Sequence, residues 1–167
     1  MLEVSHRKEV GDHYAAHQLM IGNFRLALTL TARDRGIGFT WRAVLDDAPV
    51  RPDGFFALQF PNRPERKNRA HFFLEADRPT MTRERFVKKL EGYWAWHEQG
   101  GHTAALGIKT FRVQTVTKSE ERLRSLLAAT AGAPQLQNGM AHFWFTPESR
   151  FTPVGLQSIF RRNLGND

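Results

Sequence analysis

Two phenylalanine-rich runs with β-strand character constrain this chain more than any other feature of its sequence. The first run is PDGFFALQF, residues 52–60, and the second is AHFFLEAD, residues 70–77. The polar segment PNRPERKNR lies between them. Because β-favouring runs on both sides of a polar, turn-rich segment are typical of a hairpin, we expect two antiparallel strands joined by a long basic tip.

The flanking sequence places this hairpin in an α/β chain. A first helix is predicted from Tyr14 to about Arg33, because the stretch has no proline and its apolar residues recur at helical spacing. The remaining predicted elements are a strand over 39–45 with a turn at Asp46, Asp47 and Pro49, a helix capped by Thr82 and running to Gln99, a strand over 111–117, a helix opened by Thr117 with Glu120, a loop over 132–139, a strand over 142–145 and a terminal helix from Thr152 to Arg162. The predicted order of the main elements is αβββαβα.

Charge and cysteine content narrow the classes of function. The chain has 167 residues, 24 Lys and Arg against 17 Asp and Glu, a net charge of +7 and no cysteine. A basic domain of this kind is typical of proteins that bind polyanions, and nucleic acid is the expected partner. Without cysteine, a metal must be held by oxygen or imidazole ligands. No apolar run is long enough for a membrane helix, and the charged first residues do not resemble a signal peptide, so we expect a cytoplasmic protein.

Acidic residues lie where the two hairpin strands meet. Asp53 opens the second strand, Glu75 lies near the end of the third, and Asp77 shares the face of Glu75 by period-two alternation. In a hairpin, Asp53 and Glu75 lie side by side, which predicts a carboxylate pair able to hold Mg²⁺ or Mn²⁺. The same positions also suit a turn residue and surface charges at a strand end, and the spacing alone leaves both interpretations open.

The element order and these acidic residues resemble the restriction-endonuclease-like superfamily. Its core runs αβββαβ around a mixed central sheet flanked by helices, and its active-site pattern is PD followed, after a gap, by (D/E)xK. This chain has Pro52-Asp53 and then Glu75-Ala76-Asp77. The resemblance implies that Asp53 and Glu75 hold a metal and that Asp77 assists, but Asp77 stands where the superfamily has its catalytic lysine.

Three longer segments resemble the replication-relaxation family of plasmid and integrative-element proteins more specifically. They are AHQLMIGNFRLAL, PDGFFAL and FFLEADRPTMTRERFVKKLEGY. In that family, a helix with His and Asn precedes PD, which is followed by ExDRxT and then by KLxxY. This chain has the same order in His17, Asn23, Asp53, Glu75, Asp77, Arg78, Thr80, Lys89, Leu90 and Tyr93. The resemblance implies DNA as the partner. It also implies a winged-helix region or other replication and mobilisation proteins as further partners.

The following helix offers a replacement for the missing lysine. With Phe86 at 0° on a helical wheel, Lys89 falls at about −60°, beside Tyr93 at the border of the apolar face. Lys88 falls at about 200°, on the solvent side. We therefore expect Lys89 to be the catalytic lysine, although a lysine at this position also commonly covers the edge of a core.

Other singled-out residues have supporting roles or bind DNA. His17 lies on an apolar helix stripe, which favours a hydrogen-bonded core histidine over a metal ligand. His17, Asn23 and Tyr93 are expected to support the acidic site. The hairpin tip carries the densest positive charge and is expected to bind DNA through Arg63, Arg66, Lys67 and Arg69.

The sequence therefore predicts a polar leader over 1–13, a restriction-endonuclease-like domain over 14–146 and an extension with a short helix over 147–167. Its expected function is DNA binding with magnesium-dependent nuclease chemistry in plasmid replication, mobilisation or DNA processing. A catalytically inactive DNA-binding or protein-docking module of the same fold is the alternative. A third alternative is an assembly domain whose two-sided first helix packs on a winged helix or on a second copy in a homodimer. No membrane partner is expected.

Overall fold

The computed structural model describes residues 2–43, 48–78, 80–157 and 159–160, with the side chains of residues 2–10 and 66 outside the described part. Its helices are α1 (Leu2–Asp34), α2 (Arg83–Glu98), α3 (Gly101–Leu106) and α4 (Glu120–Ala131). Its strands are β1 (Gly38–Arg42), β2 (Gly54–Gln59), β3 (Arg69–Ala76), β4 (Arg112–Thr117) and β5 (Phe143–Pro147). Short 3₁₀ segments cover Glu65–Lys67, Pro134–His142 and Glu148–Arg150.

The five strands form one mixed sheet in the order β1-β2-β3-β4-β5. The first three strands are antiparallel, and β3, β4 and β5 are parallel. The predicted hairpin is therefore confirmed, with Gly54 opposite Leu74 and Gln59 opposite Arg69. This register brings the start of β2 beside the end of β3, and it puts the polar tip at the other end of both strands. The predicted α/β class, with a mixed sheet flanked by helices, is confirmed as well.

Alternation along the strands divides the interior into two cores. Phe56 and Phe72 stack with ring centroids 4.7 Å apart, and both belong to the core that α1 covers through Phe24 and Leu28. Neighbouring strand residues such as Phe73 point to the opposite face and pack against α2 and α4. Each fully buried phenylalanine contributes roughly 1.5–3 kcal/mol. The phenylalanine-rich runs therefore fix the sheet between two helical layers.

The first helix is longer than the sequence pattern predicts. It begins at Leu2 rather than near Tyr14, so residues 2–13 of the predicted leader are helical. This segment contains no proline and several good helix formers, but it lacks the apolar periodicity on which the prediction depends. At 33 residues, α1 is roughly 50 Å long.

Two predicted details downstream of the hairpin are wrong. Ser119, and not Thr117, caps α4, because Thr117 continues β4 and pairs with Pro147. The Ser119 hydroxyl accepts a hydrogen bond of 3.1 Å from the backbone N–H of Arg122. The predicted loop over 132–139 is largely a 3₁₀ segment that starts at Pro134, whose fixed φ suits a first helical turn.

Several chain-end predictions fall partly outside the described residues. Strand β1 ends at Arg42, while Asp46 and Asp47 of the predicted turn lie outside the described part. Arg161 and Arg162, where the terminal helix was expected to end, lie outside it too. Before them, Leu156 and Phe160 are buried in the core under α1. Among the described residues, no helix combines the length and the apolar character needed to cross a membrane.

Candidate functional site

A cleft of about 1050 Å³ opens at the edge of the sheet where β2 begins and β3 ends. Helix α1 forms one wall and the first turns of α2 form the other, because the two helices cover opposite faces of the sheet at this end. Asp53 and Glu75 both line the cleft, as the hairpin register requires. The cationic residues lining it are Arg25, Arg51, Arg78, Arg85, Lys88 and Lys89.

Asp53 is fixed by the backbone of the neighbouring strand. Its backbone N–H donates to the Leu74 carbonyl at 2.9 Å, and its Oδ2 accepts from the Ala76 N–H at 2.9 Å. Its Oδ1 lies 3.4 Å from His17 Nε2 and 3.7 Å from an Arg78 guanidinium nitrogen. Burial alone would raise the pKa of Asp53, but His17 and the Ala76 N–H together hold it below its usual value. Asp53 is therefore an ionised, immobile carboxylate.

His17 is buried beside Asp53, as expected for a supporting histidine on the apolar stripe of α1. Neither of its ring nitrogens has an aligned hydrogen bond to any group in the described part of the chain. His17 Nε2 lies 3.4 Å from Asp53 Oδ1 without the alignment of a hydrogen bond. A buried imidazole with no aligned partner is uncommon, and it places a polar group within the apolar face of α1.

Glu75 is more deeply buried than Asp53 and is held from α2. Tyr93 donates its hydroxyl to Glu75 Oε1 at 2.6 Å, and the Lys89 ammonium donates to Oε2. Burial raises the pKa of Glu75 to about 7, and the nearby charge of Asp53 adds to this effect, although Lys89 and Tyr93 oppose it. Burial and the Glu75 charge raise the pKa of Tyr93 well above its ordinary value. Tyr93 therefore acts as a hydrogen-bond donor that holds Glu75.

The two lysines of α2 lie as the helical wheel predicts. Lys89 contacts Glu75 on the floor of the cleft, and its side chain is 20% exposed. Lys88 is exposed on the rim. The geometry that the catalytic hypothesis requires of Lys89 is present, whereas its role in catalysis stays a prediction.

Asp77 does not join the other two carboxylates. It is buried and receives two hydrogen bonds from the Arg122 guanidinium, at 2.7 and 2.9 Å. Arg122 also donates to the Met81 carbonyl at 2.6 Å. The hydrogen bonds to Asp77 raise the pKa of Arg122. Through Arg122, Asp77 therefore ties the start of α4 to the segment between β3 and α2, and its assisting role in catalysis stays a prediction.

Asn23 and the hairpin tip lie away from the cleft. Asn23 is on a different side of α1 from His17, about 240° around the helix, and it lines a separate groove with Leu26, Leu30 and Phe151. It therefore does not line the cleft, and its supporting role stays a prediction. The tip residues Arg63, Lys67 and Arg69 lie at the far end of the hairpin, roughly 20 Å along β2 from Asp53. The Arg66 side chain lies outside the described residues.

No role was predicted from the sequence for Arg25, Arg51 or Arg78, which line the cleft, or for Arg122, which binds Asp77 outside it. Arg25 lies about 80° around α1 from His17. A helical wheel therefore indicates that the two side chains project from neighbouring sides of the helix. Arg51 and Arg78 directly flank the two acidic strand ends. Arg122 carries no local signal, because its partner Asp77 is 45 positions earlier in the chain.

Whether Asp53 and Glu75 can bind a magnesium ion depends on which groups already contact their carboxylate oxygens. The Asp53 oxygens contact the Ala76 N–H, His17 and Arg78, and the Glu75 oxygens contact Tyr93 and Lys89. Within the described ranges, no group of three histidine or acidic residues is arranged to hold a metal. As arranged, these residues do not fit a magnesium ion. Magnesium binding stays a prediction, and it requires Lys89 or Arg78 to move.

Comparison with known proteins was made for the whole chain. A family model described as replication-relaxation matches residues 3–113. The matched range includes α1, the hairpin and α2, and so every residue that lines the cleft, whereas α4 with Arg122 lies beyond it. No curated protein and no solved structure matches the chain.

Proposed function

The chain belongs to the replication-relaxation family, and on this premise we propose that it binds DNA while a plasmid or another mobile element is replicated or relaxed. The cleft between α1 and α2 is the proposed binding site, and the sugar-phosphate backbone is the proposed ligand. The cations around the two buried carboxylates carry this proposal.

Six cationic side chains line the cleft against two carboxylates. Lys89 and Arg78 are paired with Glu75 and Asp53. In the part of the chain that the structure describes, the other four, Arg25, Arg51, Arg85 and Lys88, form no salt bridge. Unpaired cations around a concave surface attract phosphate groups and release counterions when they bind them.

The buried carboxylates support binding by holding cations in place. Glu75 anchors Lys89 on the cleft floor, and Asp53, itself held by the Ala76 N–H, positions Arg78 at the rim. A cation whose position is fixed before binding loses less side-chain entropy when a phosphate arrives. This arrangement needs no divalent metal, so we expect DNA binding to persist in a chelator.

The test is fluorescence anisotropy with labelled single-stranded and duplex DNA in EDTA, over a series of salt concentrations. The variant Arg25→Ala/Arg85→Ala should reduce the slope of log affinity against log salt by about two units, since each lost phosphate contact removes roughly one. The matched control is Arg33→Ala/Arg124→Ala, which removes two exposed arginines outside the cleft. Equal slopes for the two double variants would exclude the cleft as the binding site.

Magnesium-dependent DNA cleavage is the second candidate function, favoured by one observation: Asp53, Glu75 and Lys89 lie on one cleft floor. Supercoiled plasmid should then be nicked with Mg²⁺ or Mn²⁺, and Asp53→Asn and Lys89→Ala should abolish nicking, while each weakens DNA binding by no more than the loss of about one phosphate contact. Lys109→Ala, at an exposed lysine outside the cleft, is the matched control and should cut normally. If wild-type protein binds DNA but cuts neither single strands nor duplex with either metal, the metal-free binding function stands alone.

A further inference from the structure

The sheet has a second exposed basic surface on the face opposite to α1. Strands β1, β2 and the first half of β3 lack a helical cover there, so the row formed by Thr40, Ala57 and His71 is open to solvent or only half-buried. Their neighbours along the strands, such as Phe56 and Phe72, point to the α1 core. We call this region, together with Arg42, Gln59 and Arg69, the open face.

A pocket of about 490 Å³ lies on the open face beside the end of α3. Phe55 and Ala57 lie at its base, and residues 105–108 form one wall. Among the described residues, its lining includes Arg42, Arg69 and His71 but no carboxylate. The pocket therefore differs from the cleft, where buried acids compensate part of the positive charge.

The donors of this pocket are largely free. Arg42 and Arg69 form no salt bridge with any described residue, and Arg69 makes one long hydrogen bond of 3.4 Å to the Gln59 amide oxygen. The His71 ring stacks on Phe55 with an interplanar angle of 12°, which fixes its orientation. Burial, with a smaller contribution from the Arg69 charge, lowers the pKa of His71, so the ring is neutral at pH 7 and offers one N–H.

We propose that this pocket is a second phosphate-binding site for the nucleic acid, in which Arg42 at one end and Arg69 at the other bind the backbone phosphates, and His71 and Thr40 between them donate further hydrogen bonds. Two guanidinium groups with neutral donors beside them are the chemistry that recognises a phosphodiester. The inference rests on the proposed DNA-binding function and extends it to a surface that the cleft does not include.

The open face is continuous with the hairpin tip. Arg69 belongs to both, and Arg63 and Lys67 lie beyond it, with the Arg63 guanidinium over the Phe60 ring. From the sequence, DNA binding is predicted for the hairpin tip and not for the open face. The structure extends that basic surface from the tip onto the sheet, so that the tip and the pocket contact successive phosphates of one strand.

The experiment compares three variants in the same anisotropy assay with a 30-base single strand and a 30-base-pair duplex. Arg42→Ala/Arg69→Ala should reduce the salt slope by about two units and weaken binding about tenfold or more at 50 mM salt. Arg42→Lys/Arg69→Lys keeps the charge and should keep most of the slope, while losing affinity because lysine cannot form the bidentate contact. Arg33→Ala/Arg124→Ala is the control.

The outcomes separate this inference from the proposed function of the cleft. Both sites are supported if Arg42→Ala/Arg69→Ala and Arg25→Ala/Arg85→Ala each reduce the salt slope and the variant with all four changes loses the sum of the two reductions. A slope and affinity equal to those of the control overturn the second site while leaving the cleft intact. If only the open-face variant loses slope, the cleft proposal fails and DNA binds at the open face alone. Arg42→Gln/Arg69→Gln repeats the test with neutral side chains closer in size to arginine.

Discussion

The cleft has four exposed arginines and the open face two, and the two regions differ in how acidic residues position their cations. In the cleft, Lys89 and Arg78 are paired with acids that the fold buries, and Glu75 receives a further hydrogen bond from Tyr93. On the open face, Arg42 and Arg69 have no acidic partner among the described residues. The two paired cleft cations are therefore expected to stabilise the fold, whereas the open-face arginines are not, and binding of DNA is the proposed role of both regions.

The largest expected effect is on the stability of the cleft. Lys89→Met leaves the buried Glu75 without its cation, and at pH 8 we expect the free energy of unfolding to fall by about 3 kcal/mol. At pH 5 the loss should be much smaller, because Glu75 is then protonated. Urea denaturation at both pH values measures this. The open-face counterpart Arg42→Met should change the free energy of unfolding by less than about 0.5 kcal/mol at either pH. Equal losses in the two variants would remove the distinction between the regions.

The next effect is the pH dependence that Glu75 gives to the fold. Its pKa is about 7 in the folded chain against an ordinary value of 4.5, so unfolding releases a proton between these pH values and stability falls as the pH rises. Glu75→Gln lacks this contribution. We expect its stability relative to wild type to improve by up to about 3 kcal/mol from pH 4.5 to pH 8. Glu98→Gln, at an exposed carboxylate, should show no such trend. If the unfolding free energy of Glu75→Gln changes with pH in the same way as that of wild type, the raised pKa of Glu75 is contradicted.

A smaller effect concerns how tightly the cleft wall is packed. An added Cβ at Gly54 would lie 2.6 Å from the Trp41 ring, and Trp41 also carries the Arg25 guanidinium over its face. Gly54→Ala should therefore lower the free energy of unfolding by about 2 kcal/mol and weaken DNA binding by displacing Arg25. Gly22→Ala, on the cleft-lining side of α1 with open space around it, should stabilise the helix by up to about 1 kcal/mol. If Gly54→Ala leaves the free energy of unfolding unchanged, the cleft wall is loosely packed.

The same comparison shows what can be predicted from this sequence. The hairpin and the position of Lys89 depend on local patterns, period-two alternation and a helical wheel, so both are visible in the sequence. The pairing of Asp53 with His17 joins distant elements, but the family pattern placed both residues at the site. Arg122 could not be found in this way, because its contact with Asp77 depends on how α4 packs. The open-face pocket was hidden for the same reason: Arg42 lies on β1 and Arg69 on β3, and only the assembled sheet puts them in one pocket.

The central claim is that cleft cations bind DNA without a divalent metal. The most direct measurement follows the side-chain Nε–Hε resonances of the arginines by NMR, while a short DNA duplex is added in EDTA at pH 6. The account predicts that the resonances of Arg25, Arg51 and Arg85 shift with a common binding curve and that those of Arg33 and Arg124 do not. Unchanged cleft resonances with DNA bound, or shifts that appear only after magnesium is added, would contradict it.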